Sequence, residues 1–432
     1  MQNQPTLKFW NSNQLPPDWF RRQQTNQNQA ELEADIKTII NRVRIEGDQA
    51  LLDFTQKFDK AILTPTTIKI SPSEIKEAYQ QVTKEQVVAI EFMKQRVSIF
   101  QQQLLTQTNV CAFNEGIMVQ TMLQPLESVG CYVPGGQAAY PSTVVMTALV
   151  AKIAGVKRIV ICSPSNAEGK VNPLVLVAAD ICGISEIYRV GGAQAIAALA
   201  YGTQTIVPVH KIVGPGSKYV TAAKVIVSQD IAIDMPAGPS EVLIIADQYA
   251  DARLIAYDMI SQAEHGTDSV SGLITPSQKL AQDVQAWLTK LVAMTPRAEK
   301  ILGSLTKYGF IIVCTNMEEA INLTNQFAAE HLEVMTNDAK KLSQRLTAGL
   351  ILVGPYSSVP LSDYASGTNH VLPTSGFAQS FSGLSAMDFM RRVSIVECSK
   401  EGLEKVRTHV KVLTDTENLP NHSKAIDARF QP

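Results

Sequence analysis

Six short apolar runs, rich in β-branched residues, punctuate this chain after about residue 127. They are Arg158–Cys162, Glu186–Val190, Lys211–Val213, Val242–Ala246, Phe310–Cys314 and Gly349–Val353, and Ala-rich helical stretches separate them. A strand apolar on both faces must be covered on both faces. Helices lying between successive strands supply both the cover and the long crossover that parallel pairing needs. The pattern therefore predicts parallel α/β sheets, in two regions of about 131–237 and 238–385. Several runs lead into glycine turns, Gly191-Gly192, Gly214-Pro215-Gly216 and Gly354-Pro355. In parallel sheets, ligands bind at the carboxyl ends of the strands, where such turns lie.

At 432 residues the chain exceeds what one simple core serves. A hydrophobic content of 45% and a formal charge of −2 describe an ordinary globular protein, with no basic excess for nucleic acid and no charge run for a membrane surface. Met1 to Trp10 lacks the apolar core of a signal peptide. The most apolar stretch, Thr143 to Val156, is interrupted by Lys152 and is too short to span a bilayer, so a buried helix is expected there. None of the six cysteines forms a C-x-x-C pair; Cys162, Cys182 and Cys314 fall in apolar segments and read as small buried hydrophobes, which fits a reducing cytoplasm. Any metal would then rest on nitrogen and oxygen ligands. Residues 22–29 are polar and read as a linker or frayed helix end. Beyond them Ile90, Met93, Val97, Phe100 and Leu104 mark one stripe of a long helix. The tail from about 386 is more charged and is expected to be a small helical module.

Histidine is scarce, with six in the whole chain, and four of them stand within seven positions of a carboxylate. The segments are Gln262-Ala-Glu264-His265, Glu330-His331, Asp363 with Asn369-His370, and Glu417 with His422. Imidazole serves both as a metal ligand and as a proton-transfer group near neutral pH, so the four segments suggest one composite site. Asp251 to His265 reads as a helix that places Gln262 and His265 on one flank, where both can reach one ion; a histidine at a helix C-terminus is also commonly only a dipole partner. Glu330-His331 is expected at the end of a helical run after Ala328-Ala329. There the two side chains would serve separate proton transfers or form an exposed pair. Residues 362–374 gather Ser, Asp, Asn, His and Thr around Gly367 and read as an ordered loop or site wall. The glycine segments at 132–136, 191–194 and 214–217 match neither the dinucleotide fingerprint nor the phosphate loop. His210 and His409 have no such surroundings and read as structural.

Taken together, the motifs resemble those of the histidinol dehydrogenase family, nearly end to end. The resemblance rests on Glu46-Gly-Asp-Gln-Ala50, Tyr132-Val-Pro-Gly-Gly136, Val190-Gly-Gly-Ala-Gln194, Asp234-Met-Pro-Ala-Gly-Pro-Ser240, Ser261-Gln-Ala-Glu-His265, Ala329-Glu-His-Leu332, the 363–374 segment and Ser382-Gly-Leu-Ser385. It implies two incomplete Rossmann-like parallel-sheet domains with smaller N- and C-terminal helical modules. The divisions expected are 1–30, then 31–130 with 238–385 as the larger domain, 131–237 as the second, and 386–432. It implies Gln262, His265, Asp363 and His422 as zinc ligands, Glu330 and His331 as the acid–base pair, and Ser240, Gln262, His265, His331, Asp363, His370, Glu417 and His422 around the substrate. Tyr132, Gln194 and Ser217 match positions that contact NAD. Ser217 stands where the family usually has Asn, and a hydroxyl replaces only part of an amide's hydrogen bonding. The family's members are homodimers whose C-terminal module reaches the partner's site.

The activity implied is oxidation of L-histidinol through the aldehyde to L-histidine with zinc and NAD, in the cytoplasm. A member turned to another amino alcohol or a sulfonated diol is the nearest alternative, and Asp363, His370, Glu417 and His422 together speak against it. A zinc hydrolase using Glu330 would leave the turns at Tyr132, Gln194 and Gly214 unexplained.

Overall fold

The computed structural model describes residues 7–20, 26–106, 110–135 and 139–431. Its strands form three sheets. The first strand, β1 (Lys8–Asn11), belongs to the largest sheet, whereas β2 (Cys111–Asn114) and β3 (Ile117–Pro125) begin a small antiparallel one. A five-stranded parallel sheet holds β4 (Ser128–Tyr132), β5 (Arg158–Cys162), β6 (Glu186–Tyr188), β7 (Lys211–Val213) and β8 (Ala232–Ile233), in the order β6-β5-β4-β7-β8. The six-stranded parallel sheet adds β9 (Glu241–Ala246), β10 (Val270–Thr275), β11 (Phe310–Val313), β12 (His331–Met335) and β13 (Leu350–Val353), in the order β1-β11-β10-β9-β12-β13. The expected α/β class with two parallel sheets is thus what the chain forms.

The reason is visible in the burial. Every residue of β4, β9, β10, β11 and β12 is buried, so each needs helices on both faces. The Gly192–Tyr201 helix supplies one such cover with small alanines, and its Ile196 and Leu199 are fully buried, worth about 1.5–3 kcal/mol each. The apolar stretch at 143–156 is helical, as expected, and contains a π-helical segment, Val145–Leu149. Among the described residues no helix is long and apolar enough to cross a membrane.

Two expectations need correction, and a third falls partly outside the described residues. The helices Asn26–Glu46 and Asp48–Asp59 place Ile36, Ile40, Val43, Leu51 and Phe54 in one core with Tyr132, Val160, Ile196 and Ile212. Lys84–Leu105 likewise buries Ile90, Met93 and Val97 against the same sheet's other side. These segments therefore cover the 131–237 sheet, although they had been grouped with 238–385. Residues 22–25 lie outside the described residues, and the helix is described from Asn26. Last, the tail is not purely helical. After a short 3-10 turn, Ala386–Phe389, it runs as β14 (Met390–Cys398), antiparallel to β3 throughout, before the helices Lys400–Thr416 and Pro420–Asp427.

Candidate active site

The site forms where β9 and β12 lie side by side. Helix Met317–Phe327 stops because Ala328 takes a left-handed backbone (φ 47°), a conformation unusual for a residue with a Cβ. Glu330 and His331 therefore do not end a helix, as the sequence had suggested. Glu330 precedes β12 and His331 is its first residue, paired with Val242 of β9. Both are buried.

One residue of β9 holds both of them. The Glu241 N–H donates to Glu330 Oε2 (2.7 Å), and the Glu241 carbonyl lies 3.2 Å from His331 Nδ1. In return the Glu241 carboxylate accepts the N–H groups of Glu330 (3.3 Å) and Ser375 (2.9 Å). A carbonyl can only accept, so Nδ1 carries a hydrogen and Nε2 is left as the basic nitrogen of the neutral ring. Nε2 lies 3.5 Å from Asp363 Oδ1 and has no directed hydrogen bond, while Glu330 Oε2 lies 3.5 Å from Nδ1. Burial works against an imidazolium here, yet Glu330 and Asp363 outweigh it and hold His331 well above the ordinary imidazole value. For Asp363 burial acts upward, but His331, His370 and His265 bring its carboxyl below the usual range. Burial depresses His370.

Opposite lies the Ala252–Ala263 helix, whose Gln262 is buried with neither amide atom hydrogen bonded. Leaving a buried primary amide unpaired costs several kcal/mol in principle, about 1–3 per group. Asp363 Oδ1 is a second buried atom without a hydrogen-bond partner. A carboxamide and a carboxylate, both buried and unmet, with His265 acting on that carboxylate, make an oxygen and nitrogen donor set that fits zinc. His422 and Glu417 stand apart from it, exposed on the C-terminal module. Among the described residues, no group of three or more His, Cys, Asp or Glu side chains within this chain could hold a metal ion. The 362–374 segment, expected to be a loop throughout, begins as the end of the Val359–Tyr364 helix, which carries Asp363, and is a loop only beyond it. Asn369 Nδ2 donates to the Met146 carbonyl (2.7 Å), and its Oδ1 accepts the Val371 N–H (2.9 Å).

At the carboxyl edge of the five-stranded sheet lie the three positions matched to cofactor binding. Tyr132 ends β4, with its hydroxyl accepting the Gly192 N–H (3.1 Å). Gln194 is buried in the next helix with Oε1 unpaired. Ser217 is exposed and precedes the Lys218–Val227 helix without capping it. Gly214 (φ 118°) passes so close to β4 that a Cβ would sit 2.2 Å from the Tyr132 carbonyl oxygen, so the turn tolerates no side chain. Its N–H donates to Asp234 (2.8 Å), its carbonyl accepts from Lys224 (3.0 Å), and those two side chains form a buried ion pair. Gly136 lies outside the described residues. His210, set aside as structural, has its ring 2.8 Å from the Ser128 hydroxyl.

Three acidic residues near the site escaped the sequence reading: Glu241, Glu333 and Asp258. The available signal was a carboxylate inside an otherwise apolar strand, as in Glu241-Val-Leu-Ile-Ile-Ala246.

A glycine-turn face at one parallel sheet and a buried Glu–His pair at the other are the parts of a nicotinamide-dependent oxidoreductase. The family model described as histidinol dehydrogenase matches residues 21–430. Histidinol dehydrogenase from Methanosarcina mazei is 41% identical over 397 residues, 91% of each chain, and that from Listeria monocytogenes is 43% identical over 405 residues, 94% of each. The crystal structure of histidinol dehydrogenase from Elizabethkingia anophelis superposes with a TM-score of 0.92 at 35% identity, covering 98% of both chains. The chain belongs to the histidinol dehydrogenase family.

Proposed function

We propose that this site oxidises L-histidinol through L-histidinal to L-histidine, the last step of histidine biosynthesis, in the cytoplasm. Zinc would be held by Gln262, His265 and Asp363 together with His422 of the partner subunit. The observation that carries this reading is the pair of unmet buried donors, Gln262 and Asp363 Oδ1, beside a His331 whose Nδ1 is already committed. Bound NAD⁺ supplies the hydride acceptor for each oxidation, and bound zinc supplies coordination positions that orient the substrate's nitrogens.

The rest falls to the chain's own residues. His331 Nε2 takes the hydroxyl proton in the first oxidation, while the Glu241 carbonyl fixes the ring. Glu330 then takes a proton from the water that hydrates the aldehyde, and His331 takes the proton of the hydrate in the second oxidation. Ser240 and His370, with Glu417 of the partner subunit, surround the substrate. Tyr132, Gln194 and Ser217 hold the cofactor; the unpaired Gln194 Oε1, close against Gly192, and the side-chain-free Gly214 turn support this, because they leave an unmet amide oxygen and open backbone at the two glycine turns. The exposed Glu417 and His422 support a homodimer with shared sites.

The test is NADH formation from L-histidinol, followed optically with zinc present, after chelation and after zinc is returned. Two NADH per histidinol, lost on chelation and regained with zinc, is the expected result. No NADH from histidinol would overturn the substrate, and full activity after verified zinc removal would overturn the metal's part.

A further inference from the structure

Strand β12 sends His331 and Glu333 to the same face, because side chains two apart on a strand share a side. That face is the one lined by Val242 and Ile244 of β9 and covered by Ile255, Ala256 and Met259 of the Ala252–Ala263 helix. Glu333 is 1% exposed there, in surroundings that otherwise suit a leucine. A buried carboxyl needs partners for both oxygens. Oε1 accepts the Val359 N–H (3.1 Å), at the start of the Val359–Tyr364 helix that carries Asp363. Oε2 meets no N–H or O–H donor, and the Glu333 side chain is paired with the carboxyl of half-buried Asp258. Asp258 stands one helical turn before Gln262, on the same flank of its helix.

Two carboxyl groups can hydrogen bond only if one carries a proton. Burial first, and then each group's effect on the other, sets which one does. Glu333 is held well above the usual carboxylate range, and burial raises Asp258 to about 6 although the bond from Glu333 draws it down. The Glu333 hydroxyl therefore donates to the Asp258 carboxylate.

We propose that Glu333 is a positioning residue for the reaction, one whose carboxyl fastens together the strand bearing His331, the helix bearing Gln262 and the helix bearing Asp363. The inference rests on the proposed function for what those three residues do, but not for the links themselves. It explains why a carboxyl occupies an apolar layer. A side chain able only to pack would hold the strand and leave both helices free to slide, and displacements near 1 Å at a reacting centre cost on the order of 100-fold in rate.

Two substitutions separate linking from filling. In Glu333→Gln the amide oxygen still accepts the Val359 N–H and the amide nitrogen donates to Asp258. Glu333→Met keeps the volume and removes both links. The full-length protein is compared for zinc affinity by chelator competition, for kcat and KM, and for hydrogen exchange at the Val359 amide. Glu333→Gln is expected to stay near wild type in all three. Glu333→Met is expected to lose about 10–100-fold in zinc affinity and in kcat, with KM for NAD⁺ unchanged and the Val359 amide exchanging faster. Wild-type behaviour of Glu333→Met, or equal damage in both variants, overturns the proposal. Should Glu333→Met fail to fold, Asp258→Leu cuts the link to one helix at a half-buried position; a folded Asp258→Leu with full zinc affinity and kcat would likewise overturn it. Absence of histidinol oxidation by the wild-type protein would instead overturn the proposed function, and the exchange measurement would still decide whether Glu333 forms the links.

Discussion

Glu330→Gln removes a charge and almost nothing else, because the surrounding bonds survive it. The Glu241 N–H that now reaches Glu330 Oε2 at 2.7 Å can reach the Gln amide oxygen, and the backbone bonds of residue 330, from its N–H to Glu241 and from Leu350 to its carbonyl, do not involve the side chain. The fold should therefore hold, and the effect should be chemical. Loss of one general base costs about 10²–10⁴-fold, or roughly 2.7–5.5 kcal/mol of barrier at ~1.4 kcal/mol per factor of ten. That loss should fall on aldehyde oxidation, the direction that requires water to be activated. Interconversion of alcohol and aldehyde needs only His331. It feels Glu330 through the 3.5 Å contact with Nδ1, whose removal lets the raised imidazole value fall and leaves a weaker but more often unprotonated base. These two consequences oppose each other, so the change in that direction should be well under 10²-fold. The assay supplies L-histidinal directly and measures its oxidation with NAD⁺ and its reduction with NADH. Equal losses in both directions would refute the assignment and leave Glu330 only the task of holding the ring.

Other outcomes follow from the same geometry. Mixing inactive His422→Asn and inactive His265→Asn proteins under subunit exchange should restore activity, since one site of the mixed dimer carries neither lesion; no recovery in proven heterodimers would place the whole site in one chain. Ser217→Asn should tighten NAD⁺ binding by up to about 0.5–1.5 kcal/mol, one added hydrogen bond, and an unchanged or higher KM for NAD⁺ would exclude this. Asp59 has one carboxylate oxygen buried without a hydrogen-bond partner, and burial raises it from 3.8 to about 6. A carboxyl raised on folding loses stability as pH climbs through that interval, so the penalty is absent below about pH 3 and complete above about pH 7. Two pKa units at ~1.4 kcal/mol each, halved for partial exposure, give about 1–2 kcal/mol. Asp59→Asn should add that much to unfolding free energy at pH 7 and only a small fraction of it at pH 4; denaturant melts giving the same gain at both would contradict the origin assigned.

The parts of the fold that could be read in the sequence were those whose burial is uniform. Arg158–Cys162 and Lys211–Val213 are strands at the expected positions because both their faces are covered. β12 was not legible, since His331 and Glu333 place ionisable side chains at alternate positions of a strand that is buried throughout, which breaks the apolar run. β14 hid for the opposite reason: most of its residues are exposed in the single chain, so its pairing with β3 left no apolar signature. In the site, the scarcity of histidine beside carboxylates pointed to the chemistry, and the family resemblance supplied the roles. Neither revealed Glu241, because its partner Glu330 stands 89 positions away and a lone acid in a strand says nothing about what it faces.

The bond from Asn369 to the Met146 carbonyl has a mechanical meaning. It pins the loop just before His370 to a helix packed on the five-stranded sheet, and Val371 buries in that same layer. Asp363, a few residues earlier, rides with the six-stranded sheet through the Val359 bond to β12. The short span between them thus crosses the seam of the molecule, with one end moored to each bank. Gly367 (φ 94°) sits in that span, pressed so close to the Arg96 carbonyl that an added Cβ would lie 2.6 Å from its oxygen. A shift of one sheet against the other would change the separation of Asp363 and His370, because the span between them is tied to both.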